Sequence, residues 1–267
     1  MHEDIRSMLH KYSEESYQTC WDLQEVELRN VPIPSQVNVS MSDTWNRLLR
    51  KYKWALNTFV FGNSFIGNDY FLLRYSAAQL NQYLQVMENE ELTSNQSDTC
   101  KLEIEALFYQ FIGCIYNIKE KIEVFFCWES GKRNLRDTIL TSAGAKSALR
   151  IFHELYSNIA DYCNARNACI HNTYALDYLA EKQVFHVSCF SFTLSARKIS
   201  EEEKKRDKLN ITFPATLIEI NRVVSAIHNA LFEVLDILSD LENIQVAKLQ
   251  DKFVRIKDGK KMIEISF

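Results

Sequence analysis

Apolar residues recur at every third or fourth position along most of the chain, which is the spacing that one buried face of an α-helix produces. The predicted helices cover residues 1–30, 42–62, 69–89, 98–129, 144–172 and 214–243. Pro214 is expected in the first turn of the last helix, because the amide hydrogen that proline lacks has no intrahelical acceptor there. The chain therefore consists mainly of long helices.

The longest predicted helix has a well-defined apolar stripe. Its members share the helical spacing and are Leu102, Leu107, Phe108, Phe111, Ile115, Ile118, Ile122, Phe125 and Phe126. A stripe of this kind is the face that a helix buries against its neighbours. We therefore expect this face of the 98–129 helix to be buried.

In two places the apolar residues alternate with polar ones, as in a strand with one buried face. The stretch "QVFHVSCFSFTL" is rich in β-branched and aromatic residues and predicts a strand near 184–194. The terminal stretch 252–267 predicts a hairpin, because Asp258-Gly259 suits the positive φ angles of a two-residue turn. A small antiparallel β element thus accompanies the helices.

These patterns predict a mainly α fold, in which an up-and-down helical bundle carries extra N-terminal helices and the small β element. With 267 residues but only three prolines and six glycines, the chain is long enough for one large core or two smaller ones. We expect N-terminal helices at 1–95 to pack on a helical domain at 96–267, or the whole chain to form a single domain.

Charge and composition narrow the possible functions. A net charge of -4 argues against binding nucleic acid by bulk electrostatics, although Lys132, Arg133 and Arg136 could form a local basic patch in what we expect to be a solvated loop. The seven cysteines form no CxxC pair and predict buried thiols in a reducing compartment. Without a signal-peptide pattern or a long apolar run, we expect a cytoplasmic protein with no membrane partner.

The stretch "NARNACIHNTY" at 164–174 carries the candidate chemistry. Arg166 stands where the helical pattern calls for an apolar residue, while Asn167 and His171 are four positions apart and share a helix face. A buried arginine needs a negative partner, which is either a carboxylate of this chain or a phosphate from outside. Histidine can transfer a proton near neutral pH. The residues thus fit either a polar helix end or a phosphate-directed reaction centre.

The sequence contains little evidence for a metal-binding or cofactor-binding site. A zinc site would need four ligands, and His171 with Cys169 or Cys163 has no second cluster to complete the set. The glycine-rich loops of nucleotide-binding folds and the motifs of serine hydrolases and zinc proteases are absent. We therefore expect no metal and no cofactor.

The string from Arg166 to His171 resembles the R-N-x-x-x-H motif of the HEPN superfamily, and it stands near the end of the second of two long helices, as in that family. The resemblance implies a dimerising helical bundle and a metal-independent endoribonuclease, as found in toxin-antitoxin, anti-phage defence and RNA-processing systems. It implies proton transfer by His171, phosphate binding by Arg166 and an orienting role for Asn167.

The resemblance also implies partners and an alternative. We expect RNA as substrate, a homodimer, and an antitoxin or regulatory partner protein. The alternative is a non-catalytic HEPN-like protein that binds RNA, a nucleotide or another protein. HEPN proteins often add a polar residue from the earlier helix, and Asn117, Glu120 and Glu123 all remain candidates for it.

Overall fold

The protein is mainly α-helical with a small antiparallel sheet. The computed structural model describes residues 2–21, 66–126, 128–129, 134–135, 138–171, 173–190 and 210–245. The helices are α1 (His2–Trp21), α2 (Ile66–Asn89), α3 (Ser94–Phe126), α4 (Ser142–His171) and α5 (Leu217–Ser239). The strands are β1 (Trp128–Glu129), β2 (Asn134–Leu135), β3 (Thr173–Leu179), β4 (Val184–Phe190) and β5 (Asn210–Pro214). The predicted helix at 42–62, the basic residues near 133 and the predicted hairpin at 252–267 lie outside the described residues.

Helix α3 begins four residues before its predicted start because of a capping box. The backbone N–H of Thr93 donates to Oε1 of Gln96 at 2.9 Å, and the backbone N–H of Gln96 faces the Thr93 hydroxyl at 3.4 Å. These reciprocal bonds satisfy amide groups that a helix leaves unpaired at its start. The helix therefore begins at Ser94.

Among the side chains that the structure describes, the buried face of α3 follows the predicted stripe except at Leu102. Leu102 is 67% exposed, whereas Phe108, Phe111 and Ile115 are buried. At 100° per residue, position 102 points about 120° away from position 108, so it cannot share the buried face. Ile104, one turn before Phe108, is the buried residue at that end of the stripe.

The prediction that Pro214 lies in a helix was wrong. Pro214 ends β5, where it is paired with Val184 of β4 in an antiparallel register. The helix begins only at Leu217, and the Thr216 hydroxyl accepts a hydrogen bond from the N–H of Glu219 at 3.3 Å. A proline at the end of an edge strand leaves the pairing intact, and threonine supplies the cap that proline cannot.

One compact unit comprises residues 1–25, 69–118 and 156–228. In the contacts between its helices, later residues of one helix meet earlier residues of the other, as in antiparallel packing. They join Tyr70 to His228 and Asn81 to Asn221 between α2 and α5, and Asn158 to Arg222 and Tyr162 to Glu219 between α4 and α5. Helix α1 packs on the same unit through Ile5, which clusters with Val86 and Cys100. Helix α5 is thus antiparallel to both α2 and α4.

The sheet of this unit has the strand order β3-β4-β5, and all neighbours are antiparallel. Strand β4 confirms the prediction near 184–194, and its buried residues Phe185 and Val187 alternate with partly exposed ones. The ring of Phe185 stacks on Phe108 of α3 with 3.8 Å between centroids, and Phe213 of β5 lies 4.5 Å from Tyr162 of α4. These aromatic contacts attach the sheet to the helices.

The second compact unit comprises residues 26–68, 119–155 and 229–267. Phe126 of α3 contacts Phe152 of α4 with 5.4 Å between ring centroids. The backbone around Leu140 pairs with that around Ile244, and the N–H of Thr141 donates to the Asn243 carbonyl at 2.7 Å. The start of α4 is therefore tied to the segment that follows α5. The predicted domain boundary near residue 95 stays a prediction.

A close approach in this second unit makes Gly144 hard to replace. A Cβ atom there would lie 2.9 Å from Cβ and 3.0 Å from the carbonyl oxygen of Asn243. We expect Gly144→Ala to lower the free energy of unfolding by about 1 to 3 kcal/mol, because the backbone of Asn243 must move. Gly113→Ala is the matched control, since a Cβ there meets nothing within 4 Å, and it should raise stability by about 0.5 to 1 kcal/mol. Urea unfolding that finds both variants equally stable would contradict this packing.

Within the described part of the chain, no helix combines the length and the apolar character that crossing a membrane requires.

Candidate functional site

Helix α4 carries all three candidate residues. It extends unbroken from Ser142 to His171, so Arg166, Asn167 and His171 belong to one helical backbone. Helical geometry therefore places positions 167 and 171 one above the other on the same face. His171 is the last residue of the helix, and its side chain lies outside the described part of the structure.

The half-buried Arg166 meets an aromatic ring. Its guanidinium carbon lies 3.8 Å from the centre of the Tyr116 ring on α3, and its Nη1 donates to Oδ1 of Asn167 at 3.3 Å. The face of an aromatic ring carries partial negative charge and attracts a cation. The structure thus brings Arg166 and Asn167 together, and it explains how an arginine can interrupt the apolar stripe.

This stacking leaves the charge of Arg166 available to an anion. Stacking occupies the flat face of the guanidinium, while its N–H donors point outward in the plane. No carboxylate among the described residues forms an ion pair with Arg166. The site can therefore offer planar, charged donors to a phosphate or carboxylate that reaches the edge of the group.

A second arginine of the same unit contrasts with Arg166. Arg222 is bonded to Glu219 through two nitrogens at 2.7 and 2.8 Å, and Tyr162, one turn before Arg166, donates to the same carboxylate at 2.8 Å. Hydrogen bonding to Arg222 lowers the pKa of Glu219. Burial and the bond to Glu219 raise the pKa of Tyr162. Because Glu219 already balances the charge of Arg222, Arg166 is the better candidate for an external anion.

The three candidates on α3 have different surroundings. Asn117, the neighbour of Tyr116 in sequence, donates from Nδ2 to Oδ1 of the buried Asp69 at 3.3 Å. In the second unit, Lys119 contacts Glu120 at 3.0 Å and Glu123 at 2.8 Å. Both glutamates thus have a cation beside them already. Sequence reasoning missed Tyr116, for which the available signal was an aromatic residue beside the apolar stripe of the preceding long helix.

The potential metal ligands do not cluster in the described part of the chain. No group of three or more His, Cys, Asp and Glu side chains there is arranged to hold an ion. The cysteines whose side chains it describes, Cys100, Cys114, Cys163 and Cys169, are buried and reduced.

His228, which the sequence places inside the last helix, belongs to a buried polar cluster with α2. The Tyr70 hydroxyl and Nδ1 of His228 share a hydrogen bond of 2.5 Å, and the guanidinium of Arg74 lies 5.6 Å from the Tyr70 ring centre. Burial, followed by the nearby charge of Arg74, lowers the pKa of His228 to about 4. A neutral histidine hydrogen-bonded to tyrosine is a structural element of the core.

This cluster predicts a specific pH dependence of stability. The pKa of His228 is about 4 in the folded chain and near 6.5 when unfolded, so the unfolded state binds more protons between these values. The contribution of this pKa difference to the free energy of unfolding should be complete above pH 6.5. It should fall by about 2 to 3 kcal/mol as the pH drops to 4. Urea unfolding measures the change, and between pH 7 and pH 4 the free energy of unfolding should fall less in His228→Gln than in the wild type. The exposed His153→Gln is the control, and parallel losses in all three proteins would refute the shift.

Comparison with known proteins gives no match, since no family model, no curated protein and no solved structure is significantly similar to the chain.

Proposed function

We propose that this protein is a HEPN-like, metal-independent endoribonuclease that acts as a homodimer through Arg166, Asn167 and His171. The observation that carries the proposal is the environment of Arg166. Its guanidinium is half-buried, oriented by the Tyr116 ring and bonded to Asn167, and no described carboxylate neutralises it. This arrangement suits the recognition of a phosphate.

In the proposed reaction, the 2′-hydroxyl of RNA attacks the adjacent phosphorus. The new oxygen–phosphorus bond gives a 2′,3′-cyclic phosphate, and the bond to the 5′-oxygen of the next nucleotide breaks. His171 transfers protons between the attacking hydroxyl and the leaving oxygen. Arg166 stabilises the charge that develops on the non-bridging oxygens, and Asn167 helps to hold the guanidinium in position. Every step uses side chains and the substrate alone.

The proposed biological setting follows from the resemblance to HEPN proteins. A ribonuclease of this kind acts in the cytoplasm, in toxin-antitoxin or anti-phage defence, where an antitoxin or regulatory protein restrains it. The net charge of -4 fits local rather than bulk contact with RNA. The competing function is a HEPN-like protein that binds RNA, a nucleotide or a protein through the same arginine without cleaving it.

The test is cleavage of end-labelled structured and single-stranded RNA in EDTA. Wild-type protein should yield products ending in a 2′,3′-cyclic phosphate, and its specific activity should rise with concentration as protomers pair. Arg166→Ala should cleave about 100- to 1,000-fold more slowly, because a charged donor at the developing oxyanion is lost. Arg150→Ala is the matched control, since this exposed arginine of α4 pairs with Glu233 instead.

Two further substrates separate cleavage from binding. DNA of the same sequence, and RNA with a 2′-O-methyl group at the cut position, should both resist cleavage because neither offers the attacking hydroxyl. Wild-type protein that binds RNA but leaves it intact would favour the binding function. If Arg166→Ala and Arg150→Ala cleave RNA at the same rate, Arg166 has no role in the reaction.

A further inference from the structure

A cavity of about 390 Å³ lies in the unit that contains residues 69–118, apart from the residues of the proposed nuclease. Its walls come from α1, the C-terminal end of α2, the turn between β3 and β4, and the start of α5. Its volume is within the range of pockets that hold small ligands or single side chains. The chemistry of its lining indicates what it can bind.

The charged groups among the described lining residues are acidic. Glu15 and Glu88 line the cavity, and the described part of its walls contains no lysine, arginine or histidine. Glu88 is exposed and forms no ion pair with a described residue, whereas its neighbour Glu90 is paired with Lys11 at 3.0 Å. The charge of Lys11 is therefore already balanced by Glu90. Glu88 has no such partner, and the cavity favours a cation.

A hydroxyl without a hydrogen-bond partner among the described residues lines the same cavity. Tyr178 lines it and is only 4% exposed, yet its hydroxyl has no hydrogen-bond partner among the described residues. Burial and the nearby charge of Glu88 raise the pKa of Tyr178, so this hydroxyl stays neutral. This hydroxyl is therefore free to accept a hydrogen bond, and a cation in the cavity can donate one to it.

The remaining walls are aromatic and apolar. The Tyr12 hydroxyl donates to Glu90 at 2.8 Å, which fixes the position of its ring on the cavity wall. Leu84 is buried, and Ile218, in the first turn of α5, is 82% exposed. Aromatic rings attract organic cations, and apolar side chains accommodate an aliphatic stem.

We propose that this cavity binds an organic cation, an alkylguanidinium or alkylammonium group, whose head lies between the Glu88 carboxylate and the Tyr178 hydroxyl and whose stem contacts Ile218. The amides at the start of α5 could attract an anion instead, but two carboxylates in the same walls oppose one. The source of the group is either a free amine or a basic side chain of a partner protein. The proposal does not depend on RNA cleavage.

Isothermal titration calorimetry of the full chain at low ionic strength tests the proposal, with butylguanidinium and butylammonium as probes and butanol as the neutral control. Both cations should bind saturably, and butanol should not. Glu88→Gln should weaken binding about tenfold, because a charge-assisted contact is lost. Tyr178→Phe should weaken it about three- to tenfold through the loss of one hydrogen bond.

Glu91→Gln is the matched control, because this exposed glutamate lies outside the cavity, and its affinity should equal that of the wild type. Should Tyr178→Phe fail to fold, Glu88→Gln still tests the site, since it alters only an exposed side chain. Binding of butanol as tight as that of the cations would overturn the proposal. So would unchanged affinity in Glu88→Gln, or the absence of saturable binding by either cation.

A short arginine-containing peptide separates the two sources. If the peptide binds more tightly than butylguanidinium and this difference is lost in Ile218→Ser, the result supports the site. It then identifies a protein side chain as the ligand. Equal affinities of the peptide and butylguanidinium support the site and identify a free cation. A peptide whose affinity does not respond to Glu88→Gln counts against the cavity.

Discussion

RNA cleavage should fall about 100- to 10,000-fold when His171 is replaced by alanine, which is the range that general acid–base catalysis by a side chain contributes. The proposed reaction requires a proton to leave the 2′-hydroxyl and another to reach the leaving oxygen, and His171 is the residue of the motif that titrates near neutral pH. Single-turnover cleavage in EDTA measures the loss directly. The affinity of the variant for uncleavable 2′-O-methyl RNA should change little.

The control for this experiment is another histidine of the same helix. His153 is exposed and lies eighteen residues earlier, about 27 Å away along α4 at 1.5 Å per residue. His153→Ala should therefore cleave RNA at the wild-type rate. Equal activity of both alanine variants would remove His171 from the mechanism, and equal loss in both would indicate damage to the helix rather than to a catalytic group.

The largest expected effect on stability comes from Phe108. This residue of α3 is 1% exposed, stacks on Phe185 of β4 and lies 5.5 Å from Phe213 of β5. Phe108→Ala should lower the free energy of unfolding by about 3 to 5 kcal/mol, since it removes a buried ring and leaves a cavity between helix and sheet. Chemical denaturation followed by circular dichroism measures the change.

Leu102→Ala is the matched control on the same helix. Leu102 is 67% exposed, so its truncation should change stability by only about 0.5 kcal/mol. A loss comparable to that of Phe108→Ala would mean that Leu102 is buried in solution. A loss below about 1 kcal/mol for Phe108→Ala would show that the aromatic cluster does not attach the sheet to the helices.

The helices were predictable because their buried faces repeat over many turns. The error at Leu102 arose because this residue was assigned to the apolar stripe although its position points away from the buried face. Strand β3 was not predicted, because it follows α4 after a single residue and no glycine or proline separates them. Its turn into β4 places Gln183 at a φ of 49°, where glycine or asparagine would have indicated the turn.

The candidate site was predictable only in part. The spacing along one helix indicated that Arg166 interrupts a buried face and that Asn167 is near it. The aromatic residue that contacts Arg166 was not predictable in this way. Tyr116 lies fifty positions earlier, and its contact with Arg166 depends on how two helices pack. The expectation of a negatively charged partner also overlooked an aromatic ring as a partner for a cation.

The junction between α4 and β3 has a consequence for local unfolding. Only residue 172 separates the end of the helix at His171 from the start of the strand at Thr173. Helix ends normally fray independently of the rest of a protein, because few contacts hold them. Here the chain passes directly into a strand that pairs with β4 along its whole length. Opening the last turn of α4 would therefore disturb the pairing of β3 with β4, and we expect the helix end and the sheet to open together as one cooperative segment.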